Sequence, residues 1–169
     1  MQIERLIHTI DTHTAGESTR VVIHGYPSLP RAHPFEIRKL LATEHDNLRR
    51  MLMWEPRGHQ DMFGAVLLPA SEAGTHFFVV YMHTDGYLTA CIHGTIGAVV
   101  AAVESGFITE DQANHSLRIE TPSGIVLARL QRRAGHAPEV TVRNVPSFVA
   151  ESNAEVDYGA GSWNVPSHG

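Results

Sequence analysis

The distribution of hydrophobic positions predicts short strands along most of the chain. Apolar and β-branched residues form brief alternating or continuous runs, and residues typical of turns separate them. A polar loop follows the first run, and a Pro-Ser-Gly turn separates the fifth from the sixth. The predicted strands cover residues 7–10, 20–23, 65–68, 75–81, 118–121, 125–130 and 140–145.

Two longer segments predict helices. From Phe35 to about Trp54, apolar residues recur mostly at spacings of three and four among charged ones, which is typical of one amphipathic helix. The segment after Cys91 is apolar on nearly every side up to Glu104, so we expect a buried central helix at about residues 92–105. One internal helix among many short strands indicates an α+β domain whose sheet curls over that helix.

The chain length favours one domain, because 169 residues can bury a substantial core without a metal or a disulfide. We expect this domain to span residues 1–149. Residues 150–169 contain several glycines and serines and few large apolar side chains, so we expect a poorly ordered tail there.

The charge balance and the hydrophobic runs exclude several partners. The chain has a net charge of −5, whereas proteins that bind a nucleic-acid phosphate backbone carry an excess of basic residues. We therefore expect no nucleic-acid partner. The first residues do not follow the pattern of a secretory leader, and no apolar stretch is long enough to cross a bilayer. We therefore expect a soluble, cytoplasmic protein without a membrane partner. Charged residues make up only 18% of the chain, which suggests apolar faces that meet another domain or subunit.

The single cysteine, Cys91, is the strongest candidate for chemistry. One cysteine excludes an internal disulfide and the zinc sites built on cysteine pairs. Because Cys91 precedes the predicted central helix, the helix dipole and the unpaired first-turn amides would favour its thiolate, and the same amides could hold a carboxylate. Residue chemistry alone leaves two interpretations open, a catalytic base or nucleophile and a buried structural cysteine.

Two pairs on predicted loops are weaker candidates. His13 and Glu17 could line a site, although an ordinary role in their loop explains them equally well. Arg57 and His59 could bind an anion, but structural support of a neighbouring loop is the interpretation that we favour.

The residues around Cys91 do not predict a metal or a cofactor. His83 and His93 flank the cysteine, yet no compact zinc-type spacing such as His-Glu-x-x-His is present, so we expect no metal. Gly94 and Gly97 lack the third glycine and the acidic residue of a dinucleotide fingerprint. We therefore expect chemistry without a cofactor.

Six segments occur in a fixed order along residues 5–149: DTHTAGESTRVV at 11–22, EPRGH at 55–59, DMFGA at 61–65, CIHGTIG at 91–97, TPSG at 121–124 and NVPSF at 144–148. Together they resemble the successive motifs of the proline racemase family. That family includes hydroxyproline 2-epimerases and trans-3-hydroxyproline dehydratases. The resemblance implies a diaminopimelate epimerase-like domain, with a curled mixed sheet around the central helix.

The resemblance also implies a mechanism and its residues. Members of the family work without a cofactor, and two similar domains close over proline or hydroxyproline with one cysteine on each side of the substrate Cα. Cys91 matches the first catalytic cysteine, which removes the Cα proton as a thiolate or returns one as a thiol. Ile92, His93 and Gly94 match the positions that bind the substrate, and the main chain of Ile92 and His93 would contact its carboxylate.

The chain departs from the family pattern at two motif positions and in length. Ile92 stands where the family has glycine, and Ser18 stands where it has proline. Family members continue with a second half that carries the second cysteine, or a threonine in dehydratases. We therefore expect this chain to be an N-terminal half that needs a second domain or forms a homo-oligomer such as a dimer. The alternative hypothesis is a truncated or diverged domain that keeps the fold without catalysis and self-associates.

Overall fold

The computed structural model describes residues 2–149, together with the backbone of two strands at 154–157 and 162–165. Four helices and ten strands are assigned within these ranges. In chain order they are β1 (His8–Thr14), β2 (Glu17–His24), α1 (Pro34–Glu44), α2 (Asp46–Met53), β3 (Phe63–Pro69), β4 (Phe77–His83), β5 (Tyr87–Leu88), α3 (Ile92–Glu104), α4 (Glu110–Asn114), β6 (Leu117–Thr121), β7 (Gly124–Gln131), β8 (Glu139–Arg143), β9 (Ala154–Asp157) and β10 (Ser162–Val165).

The first eight strands form one mixed sheet in the order β1-β2-β3-β4-β6-β7-β8. Two neighbouring pairs, β2 with β3 and β4 with β6, are parallel, and the other pairs are antiparallel. The short strand β5 pairs with β4 near the end of β4 that leads towards Cys91, whereas β6 pairs with the opposite end. All seven strands predicted from the hydrophobic pattern are present.

The central strands are buried on both faces of the sheet, which explains their continuous apolar runs. Along β4, Phe77, Val79 and Tyr81 pack into the cluster around α3. The alternate residues Phe78 and Val80 pack into a second cluster with α1 and α2. The domain therefore has three layers, with α1 and α2 on one face of the sheet and α3 on the other.

The helix α3 packs against β1, β2, β3 and β8, which confirms the prediction of an α+β fold with a sheet curled around a central helix. A Cβ atom on Gly97 would lie 2.5 Å from the Thr12 hydroxyl oxygen, so glycine permits the close approach of α3 to the first two strands. Most of α3 is buried, but one stripe is exposed or half-buried and remains only partly covered. It consists of Ile92, Ile96, Val100 and Val103.

The single helix predicted over residues 35–54 is wrong, because two helices meet at His45. The backbone of His45 (φ −129°, ψ 17°) ends α1, and its amide donates to the Leu41 carbonyl. Asp46 then begins α2 and pairs with Arg49 one turn later. Pro34 begins α1, where its missing amide hydrogen costs nothing.

The predicted poorly ordered tail falls mainly on residues outside the described ranges, so it stays a prediction, as does the boundary at residue 149. Within the tail the structure describes one antiparallel pair, β9 with β10. Among the helices described, none is long and apolar enough to cross a membrane.

Candidate active site around Cys91

Cys91 caps the N-terminus of α3, at the position that the sequence predicts. Its backbone is extended (φ −161°, ψ 112°), and its Sγ accepts a hydrogen bond from the Gly94 amide at 3.4 Å. The Thr95 hydroxyl donates to the Cys91 carbonyl oxygen at 2.7 Å. The half-buried thiol thus occupies the place that a Ser, Thr or Asp oxygen usually takes at a helix N-cap.

The surroundings of the thiol raise the pKa of Cys91 above its usual value of 9.0. Burial is the largest cause, the Gly94 amide acts in the opposite direction, and the negative charge of Glu17 adds a smaller increase. The Gly94 amide at the helix terminus favours the thiolate, as the sequence predicts, but burial outweighs its effect. At neutral pH the protonated thiol predominates.

The three residues after Cys91 differ in what their main chain can offer a ligand. The amides of Ile92 and His93 lie in the first helical turn, where helix geometry gives them no acceptor inside α3. The Gly94 amide instead points to the thiol. The Ile92 side chain is 44% exposed directly beside Cys91. Substrate contacts by these residues stay a prediction.

An aromatic stack lies against the thiol, formed by His83, Phe63 and His93. The rings of Phe63 and His83 are stacked, with centroids 5.8 Å apart, and these residues are also cross-strand partners in β3 and β4. The ring of His93 meets Phe63 edge-on at 4.6 Å, and its Nδ1 lies 3.5 Å from Cys91 Sγ. The sequence singled out both histidines but missed Phe63, although Phe63 lies within one of the six motifs.

A buried hydrogen bond beneath α3 fixes the first helical turn from below. The Tyr81 phenol and the Thr95 hydroxyl are 2.6 Å apart, and both residues are buried. Burial raises the pKa of Tyr81, so its phenol stays protonated. Sequence patterns did not single out this pair, because Tyr81 is part of a buried strand and carries no local signal of its own.

The weaker candidates have mainly structural contacts. His13 Nδ1 accepts from the Gly16 amide inside the β1–β2 turn, at 3.4 Å. Arg57 donates to the Met51 carbonyl oxygen at 2.8 Å, which supports the loop after α2. Glu17 is the member of these pairs that acts on the thiol, through its charge.

The described residues contain no group of three or more His, Cys, Asp or Glu side chains that could hold a metal ion. A cavity of about 440 Å³ lies far from the thiol. It is formed by the opposite ends of β2 and β3 and by residues 25–32, so it does not belong to the Cys91 site.

The sequence and the fold match known proteins over nearly the whole chain. The family described as Proline racemase matches residues 9–165. A proline racemase from Clostridioides difficile is 40% identical over 157 residues, which are 93% of this chain and 47% of the relative. A trans-3-hydroxy-L-proline dehydratase from Burkholderia cenocepacia is 38% identical over the same shares.

A solved structure with the same fold is a hydroxyproline epimerase from Agrobacterium vitis with bound trans-4-hydroxy-L-proline. Its TM-score is 0.85 at 30% identity, and the match covers 97% of this chain and 49% of that one. The chain therefore spans about half the length of the relatives that it matches, and it corresponds to their N-terminal half.

Proposed function

The chain belongs to the proline racemase family, and from this premise we propose that it is the half of an enzyme that supplies one acid/base thiol, Cys91, for proton transfer at the Cα of proline or hydroxyproline. The observation that carries the proposal is the position of Cys91 Sγ. It lies at the N-cap of α3, beside first-turn amides and 3.5 Å from His93 Nδ1.

The proton transfer needs only the thiol and the substrate. The Cys91 thiolate forms an S–H bond with the Cα proton, and the electron pair of the broken C–H bond spreads into the substrate carboxylate. Amide hydrogens of Ile92 and His93 directed at that carboxylate would stabilise the charge that develops there. The positive end of the α3 dipole acts in the same direction. No cofactor enters these steps.

The substrate class is supported by the relatives and by the walls of the site. The three relatives described above are named for activities on proline or hydroxyproline. Phe63 and Ile92 offer apolar surface beside the thiol for the carbons of a five-membered ring. Whether the protein racemises, epimerises or dehydrates depends on groups that face the other side of the ring.

A second protein domain or subunit is needed on the face of the substrate ring opposite Cys91. Inversion at Cα needs an acid on the face opposite the base, and the chain has a single cysteine. The partly covered stripe on α3, defined above, begins at Ile92 next to the thiol and gives such a domain or subunit an apolar surface to cover. We expect the second half of the family, or a second copy of this chain, to pack there.

Deuterium exchange tests the proposal. The chain is incubated in D₂O with L-proline or trans-4-hydroxy-L-proline, and Cα deuterium is followed by NMR. Because one thiol both removes and returns the proton from one face, we expect slow exchange with retention of configuration. Cys91→Ala should abolish the exchange. Exchange that persists in Cys91→Ala would overturn the proposal.

A second variant separates catalysis from the alternative of a diverged, non-catalytic domain. Ile92→Gly removes the exposed side chain beside the thiol, so it should increase exchange if that side chain crowds the substrate. Phe107→Ala serves as a control, because Phe107 is similarly exposed (38%) but packs against Phe77, at the end of β4 remote from His83. No exchange in the parent chain or in Ile92→Gly, with and without a separately supplied second half, would favour the non-catalytic alternative.

A further inference from the structure

Three side chains of the α1–α2 layer donate hydrogen bonds to the backbone of one short turn. This turn, residues 83–87, joins β4 to β5 and is called the hairpin tip here. Arg49 donates to the carbonyl oxygens of His83 (2.9 Å) and Thr84, and the Trp54 indole donates to Thr84 at 2.8 Å. Arg38 donates to the Tyr87 carbonyl oxygen at 3.0 Å. The tip is therefore fixed mainly from outside the hairpin.

Arg49 is the centre of this arrangement. Its side chain is only 6% exposed, and Asp46 binds it in a two-pronged ion pair with distances of 2.6 and 3.0 Å. The guanidinium also lies over the Tyr87 ring, 6.0 Å from its centroid. A buried guanidinium with a carboxylate on one side and two carbonyl oxygens on the other is held rigidly, because a planar fork fits only one orientation.

The hairpin tip leads directly to the Cys91 site by two routes. Through space, His83 stacks on Phe63, Phe63 meets His93, and His93 lies against the thiol. Along the chain, β5 ends at Leu88, three residues before Cys91, the N-cap of α3. A change in the position of the tip therefore reaches both the aromatic stack and the start of the helix.

We propose that Arg49, held by Asp46, is a positioning residue that fixes the aromatic stack and the Cys91 thiol through the backbone of the hairpin tip. The guanidinium of Arg49 contacts Asp46, the Tyr87 ring and the carbonyl oxygens of His83 and Thr84. It acts by holding the carbonyl oxygens of His83 and Thr84. The proposal rests on the role of Cys91 proposed above, but its test needs no turnover.

The arrangement at the opposite end of β4 supplies a comparison. There the buried Glu120 carboxylate binds the turn at residues 71–75, again as one buried charged side chain that holds a loop. Since β4 runs between the two turns, loss of Glu120 should loosen the fold without touching the Cys91 site. If Arg49 only stabilised the fold, replacement of Arg49 and replacement of Glu120 would have the same effect on the ionisation of the Cys91 thiol.

The test measures the ionisation of Cys91 in the full chain. The pH dependence of iodoacetamide alkylation, followed by mass spectrometry, reports on this residue alone because the chain has one cysteine. We expect Arg49→Lys to lower the alkylation midpoint by about 0.5 pH unit, since a loosened tip admits water to the thiol and reduces the effect of burial. At neutral pH the rate should about double, as a roughly threefold gain in thiolate is partly offset by lower nucleophilicity. The titratable groups that face the thiol, Glu17, His93 and Tyr81, are unchanged.

Asp46→Asn keeps the guanidinium but weakens its anchor, so it should shift the midpoint in the same direction by less. This variant decides the question by the same readout if Arg49→Lys does not fold. Arg129→Lys is the matched control, because Arg129 also donates to a backbone carbonyl oxygen, that of Asn114 at 2.8 Å, far from the thiol. Glu120→Ala controls for lost stability, and both controls should keep the parental midpoint.

A parental midpoint in the first two variants, or an equal shift in Glu120→Ala, would overturn the proposal. Failure of the proposed function is a separate outcome. It would be seen as deuterium exchange that does not depend on Cys91, whatever the alkylation midpoint of the Arg49 variant.

Discussion

Replacement of Glu120 is the strongest stability test that the structure offers. The side chain is 1% exposed, yet its carboxylate accepts four hydrogen bonds from the turn at residues 71–75. The Ser71 and Glu72 amides donate at 2.8 and 2.9 Å, and the hydroxyls of Ser71 and Thr75 complete the set. These bonds outweigh burial, so the pKa of Glu120 lies below its usual value of 4.5.

The expected loss follows from these bonds. Hydrogen bonds to a charged group contribute about 1.5 kcal/mol each, or about 6 kcal/mol for four. Because the turn at residues 71–75 is partly exposed, its donors can bond to water once the carboxylate is gone, so we expect a net loss of about half this sum, about 3 kcal/mol. Glu120→Ala should lower the free energy of unfolding by that amount, and the melting temperature by roughly 9 °C. Glu120→Gln should cost only about 1 kcal/mol, because the amide oxygen still accepts and its NH₂ group can donate to Ser71.

Urea denaturation followed by far-ultraviolet circular dichroism measures both losses, and its pH dependence tests their cause. A pKa lowered by folding stabilises the protein above the unfolded pKa, and this stabilisation is lost as the pH falls through the folded pKa. The difference between the parent and Glu120→Ala should therefore be full at neutral pH and smaller at about pH 3. An equal difference at both pH values would refute the assignment to the ionised carboxylate.

Three further predictions concern packing and charge. Gly97→Ala should cost about 2 kcal/mol in urea denaturation, because its Cβ would meet a threonine hydroxyl of β1 at 2.5 Å, whereas Gly86→Ala, with nothing within 4 Å, should change stability by less than about 0.5 kcal/mol. Arg20→Lys keeps the charge but loses the two-pronged bond to Asp11 of β1 and the bonds to the carbonyl oxygens of Leu52 in α2 and Arg57 in the loop after it. Limited proteolysis of that loop should therefore become several-fold faster, and an unchanged rate would contradict this. The pKa of Asp46 lies below its usual 3.8 because Arg49 binds it, so the parent loses stability as the pH falls through the folded pKa. Asp46→Asn lacks this titrating group and should lose less stability over the same pH range, as followed by circular dichroism. Identical acid transitions would argue against this.

The fold was largely predictable because its central strands are buried on both faces. Residues that pack into both clusters form continuous apolar runs, and β3 and β4 carry the clearest of these. The break between α1 and α2 was not predictable from periodicity, because apolar spacing continues through His45, where the backbone leaves the helical region (φ −129°, ψ 17°). Arg49 of α2 binds the hairpin tip, a tertiary contact that periodicity does not report. The strand β5 has two residues, which is too short for any pattern.

The position of Cys91 was predictable from the sequence, but the surroundings of its thiol were not. Cys91 could be placed at a helix start from the sequence, because a strand, a lone thiol and an apolar helix follow each other directly. The direction of its pKa shift could not, since burial and Glu17 act through the folded arrangement of β2 and α3. Phe63 carries no local signal for its place between His83 and His93, which are distant in sequence.

The carboxylates of Asp46 and Glu120 ionise at acidic pH and the Cys91 thiol at alkaline pH, and this separation determines how the pH dependence of deuterium exchange can be interpreted. Asp46 and Glu120 have pKa values below their usual acidic ranges, so their contributions to stability stay constant through neutral and alkaline pH. The Cys91 pKa lies above 9.0, so the thiolate population rises about tenfold per pH unit below that value. If Cys91 is the base, exchange should rise with pH through the neutral range without a loss of folded protein. A plateau well below the alkylation midpoint of Cys91 would show that a group other than this thiol limits the reaction.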